Sequence, residues 1–276
     1  MTYREAVDLG TKILTKADIA DAVLDAWYLL QMVCKIERSY YYVHGDEDIT
    51  AEAQKEYEIA VRKRSEHIPL QYIIGEQEFM GLKFKVNFNV LIPRQDTETL
   101  VEEAIKVLKP GMRVLDMCTG SGCVLISIMK NVADIAGTGS DVSKPALLVA
   151  RENAKQNEVE ADWIRSDLFD NINEKYDLIV SNPPYIRTDV ITELMPEVRD
   201  FEPYDALDGR EDGLYFYRKI IEQAQEYLNQ EGYLYMEIGF DQGKDVSQMM
   251  KEAGFTEVEV ILDLAGNDRV VKGKGQ

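Results

Sequence analysis

Residues 114–122 read VLDMCTGSG, an apolar run that leads into a turn containing two glycines. The run predicts a buried strand, and the apolar residues after Gly122 predict a helix. Glycines in such a turn let another molecule approach the backbone closely, because no side chain fills the space. Ligands of open α/β sheets bind at this carboxyl edge. The stretch therefore predicts a ligand-binding turn at the edge of a mostly parallel sheet.

Strands and helices alternate on both sides of this turn. Strand patterns fall at residues 113–116, 135–141, 162–166, 176–181 and 233–238, and helical patterns reach residues 130, 156, 228 and 253. This alternation predicts a parallel sheet covered by helices on both faces. Two final runs, 258–264 and 269–272, flank Gly266-Asn267 and predict a pair of strands joined by a tight turn.

The first quarter of the chain has a different pattern. Apolar residues recur at helical spacing from residue 2 to about 67, with breaks at 15–18 and 44–50, and Pro69 closes the last helix. Residues 71–74 and 82–86 are β-prone, with Gly75 and Gly81 at turns. We therefore predict a helical domain over residues 1–69, a β-hairpin linker over 70–94 and the ligand-binding domain over 95–276.

The excess of acidic over basic residues argues against some classes of function. Lys and Arg total 31 against 50 Asp and Glu, a formal charge of −19, which argues against broad contact with nucleic acid or anionic lipid. Three cysteines form no disulfide framework, and no apolar run approaches the ~20 residues that cross a bilayer. With two histidines and no paired CxxC, a metal site is not expected. We expect a soluble cytoplasmic protein without a metal, whose partner is a protein.

Asp141 adds to the glycine turn, because it ends the next predicted strand, where a carboxylate can accept hydrogen bonds from ribose hydroxyls. Dinucleotide binding would need Gly or Ala at the third position of G-x-G-x-x-G, and Leu125 stands there. The chain also lacks the G-x-x-x-x-G-K-[ST] loop of nucleotide triphosphatases. S-adenosyl-L-methionine, which has adenosine without pyrophosphate, fits this pattern best.

Asn182-Pro183-Pro184-Tyr185 follows another apolar strand and so lies at the same sheet edge. The prolines fix the backbone and leave the Asn182 side-chain oxygen and the Pro183 carbonyl free to accept the two hydrogens of a planar NH₂ group. Holding both hydrogens orients a weakly nucleophilic nitrogen toward a methyl donor, and Tyr185 can stack on the flat group. The tetrapeptide therefore predicts methyl transfer to an amide or an aromatic amine.

Three functions fit this site. A flipped adenine presents the same kind of NH₂ group, so an adenine-N6 DNA or RNA methyltransferase is one alternative, opposed by the charge of −19. A non-catalytic adenosylmethionine-binding interaction protein is another, and a damaged tetrapeptide would indicate it. Here the tetrapeptide is intact. Protein amide methylation remains the leading hypothesis.

Along nearly its whole length the chain resembles the release factor glutamine N5-methyltransferases, the PrmC/HemK family. The resemblance rests on six stretches: Leu91–Glu98, Val114–Gly122, Ser140-Asp141, Ser166-Asp167, Ser181–Ile186 and Gly266–Val270. It implies a class I S-adenosylmethionine-dependent methyltransferase, Rossmann-like, with a seven-stranded sheet and an antiparallel last strand, plus a small N-terminal helical bundle. It also implies the substrate, the glutamine of the Gly-Gly-Gln motif in class I peptide chain release factors, and S-adenosyl-L-homocysteine as the product.

The resemblance assigns site residues as well. The implied cofactor-binding residues are Cys118, Thr119, Gly120, Ser121, Gly122, Asp141, Asp167, Leu168 and Asn182, and the implied substrate clamp is Asn182, Pro183, Pro184 and Tyr185, with Asn182, Pro183 and Tyr185 catalytic. Cys118 stands where the family usually has a glycine, Gln95 where proline is common, and Leu168 where some members have an aromatic residue. We further expect the N-terminal domain and residues 186–212 to dock the release factor, because one glutamine side chain offers too little surface for selectivity.

Overall fold

The structure is a computed structural model that describes residues 1–276. The chain divides into two compact units, one formed by residues 1–75 with 195–201 and the other by residues 76–194 with 202–276. The helices are α1 (Tyr3–Lys16), α2 (Ala22–Cys34), α3 (Arg38–His44), α4 (Ala51–Ser65), α5 (Leu70–Ile74), α6 (Glu98–Val107), α7 (Cys123–Asn131), α8 (Lys144–Gln156), α9 (Pro196–Phe201), α10 (Tyr215–Tyr227) and α11 (Gly243–Glu252). The strands are β1 (Glu76–Phe79), β2 (Leu82–Lys85), β3 (Arg113–Met117), β4 (Ala136–Asp141), β5 (Asp162–Arg165), β6 (Tyr176–Ser181), β7 (Leu228–Glu237), β8 (Thr256–Leu262) and β9 (Asp268–Lys274).

The first unit is a helical bundle in which threonine caps begin two of the helices, α1 and α4. Thr2 and Glu5 form a reciprocal capping box at α1, and Thr50 accepts a hydrogen bond from the Ala53 N–H at α4. The buried side chains of α1, α2 and α4 form one core, in which the Tyr57 hydroxyl donates to the Ala26 carbonyl at 3.2 Å. The predicted helical character of this region and both of its breaks are confirmed.

The second unit is built on a seven-stranded sheet with the order β5-β4-β3-β6-β7-β9-β8. Six strands run parallel, and β9 is antiparallel to both of its neighbours. Val114 and Leu178 point into a core shared with α6 and α7, whereas Leu115 and Ile179 point into a core shared with α10 and α11. The predicted parallel sheet with helices on both faces and an antiparallel last strand is confirmed.

The connecting hairpin exists, but one of its predicted strands is wrong. Residues 71–74 lie in helix α5, which begins after Pro69 and ends at Gly75 in the left-handed conformation (φ 86°). The hairpin is formed by β1 and β2, and the two residues between them, Met80 and Gly81, both have positive φ, as the tight turns that join twisted strands require. The β-branched residues of α5 gave a misleading strand signal. Helix α6 is a further element that the sequence patterns did not predict.

None of the helices is both long enough and apolar enough to span a bilayer.

Candidate active site

A cavity of about 380 Å³ opens at the carboxyl edge of the sheet. Its walls come from the segments that follow β3, β4, β5 and β6, joined by parts of residues 89–97 and 203–206 and by Phe216. The strand order reverses between β3 and β6, so the cavity lies at the switch point where open α/β sheets bind ligands. Cavities of this size hold small molecules.

Asp116, on strand β3, stabilises the glycine turn that follows this strand. This buried carboxylate accepts hydrogen bonds from the Thr119 hydroxyl at 2.5 Å and from the Leu125 N–H at 3.3 Å. Burial raises its pKa to about 7, although both hydrogen bonds act against the rise. Cys118, Gly120 and Gly122 all have positive φ. Cys118 therefore adopts a conformation that glycine takes at no steric cost. This explains why the family that the chain resembles usually has a glycine at this position.

The two glycines of the turn have different surroundings. A Cβ atom added at Gly120 would meet no protein atom within 4 Å, and Gly120 lines the cavity. A Cβ atom at Gly122 would lie 3.0 Å from the Trp163 ring and 3.2 Å from the Ala150 methyl group. Gly120 therefore keeps the space for a ligand open, and Gly122 allows the turn to pack on the protein. Cys118, Thr119 and Ser121 also line the cavity, whereas Gly122 does not.

Asp141 lies at the end of β4 and faces the same cavity. Its Oδ2 atom accepts from the Gly120 N–H at 2.9 Å, and its Oδ1 atom accepts from the Ser143 N–H at 2.8 Å. Burial raises its pKa, and these backbone hydrogen bonds oppose the rise. Each carboxylate oxygen keeps a second lone pair for a hydroxyl group, so Asp141 both fixes the turn and can bind a ribose. Asp167 and Leu168, which follow β5, line the same cavity.

The Asn182–Tyr185 segment follows β6 on the opposite side of β3. Ser181 ties the two strands together, because its hydroxyl donates to the Met117 carbonyl at 2.8 Å. Asn182 and Pro184 line the cavity, and the Asn182 Nδ2 atom donates to the Thr97 hydroxyl at 3.3 Å. Pro183 and Tyr185 do not line it. Tyr185 packs against the core under α10, and its carbonyl accepts from the Gln242 side chain at 3.1 Å.

Several cavity residues were not singled out by their sequence pattern. Residues 89–97 form one wall, and Arg94 in that wall donates to Glu202, a side chain that is almost fully buried, at 2.5 Å. The stretch Leu91–Glu98 carries part of the family resemblance, but its residue pattern predicts no binding role. Pro203, Asp205 and Phe216 come from segments far along the chain and carry no local pattern that points to the cavity.

The cavity residues fit S-adenosylmethionine. An acidic residue for the ribose hydroxyls, an open space over Gly120 and apolar walls from Val90, Leu91 and Leu168 are the features that an adenosine with an amino-acid tail requires. No group of three or more His, Cys, Asp or Glu side chains is arranged to hold a metal ion. The fold and this cavity define a class I S-adenosylmethionine-dependent methyltransferase.

Comparison with known proteins gives the particular family. Residues 5–75 match the model of the PrmC N-terminal domain, and residues 95–197 match that of the methyltransferase small domain. The release factor glutamine methyltransferase of Fusobacterium nucleatum is 40% identical over 96% of this chain and 77% of its own length, and that of Thermodesulfovibrio yellowstonii is 41% identical over 90% and 91%. The chain belongs to the release factor glutamine methyltransferase family. The solved structure of a methyltransferase from Pyrococcus furiosus, at 16% identity over 71% of this chain and 90% of its own and a TM-score of 0.53, shares the fold.

Proposed function

We propose that this chain transfers a methyl group from S-adenosyl-L-methionine to the side-chain amide nitrogen of the glutamine in the Gly-Gly-Gln motif of class I release factors. The observation that carries the proposal is the position of Asn182. Its amide lies at the rim of the same cavity as the glycine turn and Asp141. A methyl donor and an NH₂ acceptor held at these two places would be neighbours.

The cofactor end of the cavity has a residue for each part of the molecule. Asp141 would accept hydrogen bonds from the ribose hydroxyls, Leu168 and Val90 would hold the adenine, and residues 118–121 would hold the amino-acid tail. The bound cofactor supplies a methyl group activated by a sulfonium charge. Its product is S-adenosyl-L-homocysteine, and the proposed reaction uses no metal.

The acceptor end holds a planar amide by its hydrogens. The Asn182 Nδ2 group donates a hydrogen bond to Thr97 within the protein, and Asn182 lines the cavity. Its Oδ1 atom is therefore the proposed acceptor for one hydrogen of the substrate NH₂. The proposed acceptor for the other hydrogen is the Pro183 carbonyl. The Tyr185 ring packs on the core under α10 and does not line the cavity, so its proposed part is to hold this backbone segment rather than to stack on the flat group. An amide nitrogen has a delocalised lone pair, so this orientation is the main contribution of the protein to the direct displacement. As the new carbon–nitrogen bond forms, the bond between the methyl carbon and sulfur would break. The methylated amide is then strongly acidic and would release one proton to water, so no dedicated base is needed.

The proposed partner is a release factor rather than nucleic acid. The formal charge of −19 opposes contact with a phosphate backbone and suits a protein partner with basic surface. The proposed compartment is the cytoplasm, where translation termination takes place.

Incubation with an intact class I release factor and isotope-labelled S-adenosylmethionine tests the function. Mass spectrometry should find one added methyl group on the Gly-Gly-Gln glutamine. Transfer instead to adenine in DNA or RNA, with none to the release factor, would overturn the proposal.

Asn182→Ala tests the clamp. Loss of an orienting hydrogen bond should slow the single-turnover rate about a hundredfold, equivalent to about 3 kcal/mol, while the dissociation constant of the cofactor stays nearly constant. Asn173→Ala, at an exposed asparagine beyond β5, is the matched control and should keep the wild-type rate. An Asn182→Ala rate within a factor of two of wild type would contradict the assignment.

A further inference from the structure

Leu91–Glu98, which supplies part of the cavity wall, and Gly266–Val270, which does not line the cavity, are two of the stretches that carry the family resemblance. The structure brings both of them to one place behind the substrate clamp. Thr97 from the first stretch and Arg269 from the second both face Glu237, the last residue of β7. Glu237 is 1% exposed. A carboxyl group buried this deeply needs an explanation, because burying a charge is costly unless it is paired.

The Glu237 carboxyl has no cation of its own. The nearby Arg269 guanidinium is shared between Asp263 at 3.1 Å and Asp96 at 3.2 Å, and the Oε2 atom of Glu237 has no hydrogen-bond partner. Tyr217 on α10 donates to the backbone carbonyl of Glu237 rather than to its side chain. Packing alone would be better served by an apolar residue, so the position points to a role for the carboxyl group.

The groups that face Glu237 include the clamp itself. Ser181 on β6 pairs with Met236 on β7, so the residues that follow them, Asn182 and Glu237, are neighbours across the sheet. Thr97 and Asn182 both lower the pKa of the Glu237 carboxyl, and both line the cavity. Asn182 Nδ2 donates to the Thr97 hydroxyl oxygen, which leaves the Thr97 hydroxyl hydrogen to be donated onward. Glu237 therefore lies at the end of a chain of donors that starts at the clamp.

Building on the function proposed above, we propose that Glu237 is a positioning residue that fixes the orientation of the Asn182 amide. An ionised carboxylate only accepts hydrogen bonds, so it attracts the Nδ2 group and repels the Oδ1 atom. Asn182 then presents its oxygen to the substrate NH₂. A protonated Glu237 can donate a hydrogen bond, which permits the flipped amide, and the flipped amide would present NH₂ to NH₂.

The charge state of Glu237 is set by its surroundings. Burial raises its pKa to about 7, and Thr97, Arg269 and Asn182 act against the rise while Asp96 adds to it. The remaining titratable groups around it are Tyr185 after β6, Tyr217 on α10 and Cys123 on α7. All three have raised pKa values and stay neutral near pH 7. Asp116, whose pKa is also raised to about 7, is hydrogen-bonded to Thr119 and Leu125 at the glycine turn. Glu237 is therefore the group beside Asn182 that changes charge in this range. Turnover should consequently fall as the pH drops through this range.

Single-turnover rates between pH 6 and 8.5, with saturating cofactor and release factor, test this role. Glu237→Gln should lower the rate at pH 8 at least tenfold, leave the dissociation constant of the cofactor within twofold, and flatten the acid limb of the profile. Glu103→Gln is the control, since Glu103 is a buried carboxylate on α6 that pairs with Lys106 and Lys272, away from the clamp. It should keep the wild-type profile.

A second pair of variants covers the case in which Glu237→Gln fails to fold. Thr97→Val removes the hydroxyl that links Asn182 to Glu237, so it should lower the single-turnover rate without weakening cofactor binding. Thr97→Ser keeps the hydroxyl and should have the wild-type rate. A Glu237→Gln enzyme with the wild-type rate and acid limb, or equal rates for the two Thr97 variants, would overturn the inference. If wild type transfers no methyl group to the glutamine, the proposed function fails instead, so the two failures are distinguishable.

Discussion

Gly120 and Gly122 stand two residues apart in the same turn, but only Gly120 borders the cavity. Both have positive φ, so an alanine at either position costs roughly 1 kcal/mol of backbone strain. The added methyl group meets open space at position 120 and the Trp163 and Ala150 side chains at position 122. The two substitutions should therefore separate ligand binding from folding.

We expect Gly120→Ala to weaken S-adenosylmethionine binding at least tenfold with a small loss of thermal stability. Gly122→Ala should add an overpacking cost of about 1 to 3 kcal/mol and lower the melting temperature further. Isothermal titration and thermal unfolding of both variants provide the comparison. If Gly120→Ala bound the cofactor as tightly as wild type, the space over Gly120 would not belong to the ligand.

Asp116 affects stability in a pH-dependent way. Its pKa is about 7 in the folded chain against an ordinary value of 3.8, because burial disfavours the charged form. Between these values the folded state holds a proton that the unfolded state has released, so the contribution of Asp116 to stability falls as the pH rises toward 7. Asp116→Asn has no ionisable carboxyl at this position, so this decrease in stability with rising pH should disappear. The asparagine keeps a side-chain oxygen that can accept from the Thr119 hydroxyl.

Asp116→Asn should accordingly raise the melting temperature more at pH 8 than at pH 5.5. Glu103→Gln is a control of opposite sign, because Lys106 and Lys272 outweigh the effect of burial and lower the pKa of Glu103. Its loss should destabilise the chain at pH 8. Thermal unfolding at the two pH values checks both, and an equal shift for Asp116→Asn at each pH would contradict the linkage.

Arg64 on α4 connects helices of the first unit that are distant in sequence. It is 7% exposed, and it donates to Asp25 on α2 at 2.7 Å and to Glu197 on α9 at 2.9 Å. Glu197 also contacts His67 at 3.2 Å, whereas Asp25 has no other cation. Removal of Arg64 would leave Asp25 as a buried carboxylate without a cation.

Arg64→Ala should therefore cost about 3 to 5 kcal/mol of stability, the range for breaking a buried ion pair. Arg62→Ala, an exposed arginine on the same helix, should change stability by less than about 0.5 kcal/mol. Urea unfolding of both variants measures the difference. Similar small losses in the two variants would show that the pair with Asp25 contributes little.

The element patterns predicted most of the sheet because its strands are apolar runs buried on both sides. Val114, Leu178 and Leu234 belong to such runs. The patterns failed where short elements depend on their ends: residues 71–74 are helical between Pro69 and a left-handed Gly75, although isoleucine favours strands. Local turn geometry outweighed residue preference there.

The sequence predicts those site residues whose role follows from a short stretch of chain. Gly120, Asp141 and Asn182 each end or follow a strand, so the parallel topology alone brings them to one edge. Phe216 and Pro203 reach the cavity only through the folding of residues 186–216, and Glu237 is hidden behind Asn182. No spacing rule connects such distant positions, so the sequence patterns could not identify them.

The proposed docking of a release factor would use surface from more than one region of the chain. A charged groove of about 1290 Å³ begins two residues after Tyr185, and its arginines Arg187, Arg210 and Arg218 are each paired with a nearby aspartate. In the helical unit, the apolar side chains of Val23 and Val43 are 65% and 77% exposed. We predict that both regions contact the intact release factor and that neither contacts a short peptide.

Point substitutions test this better than deletion of residues 1–70, because deletion would remove Arg64 and His67 from Glu197. Val43→Asp and Val23→Asp place charges on exposed positions, so the fold should survive while the KM for intact release factor rises about fivefold or more, the effect of losing ~1 kcal/mol. Leu148→Asp, at an exposed position on α8, is the matched control.

Because the chain carries a charge of −19, methylation of the intact factor should also slow as salt rises, and cofactor binding should change little. Steady-state kinetics of the valine variants with the intact factor and with a Gly-Gly-Gln peptide provide the test. Equal losses of methylation activity on both acceptors, or no loss on either, would contradict docking by the helical unit.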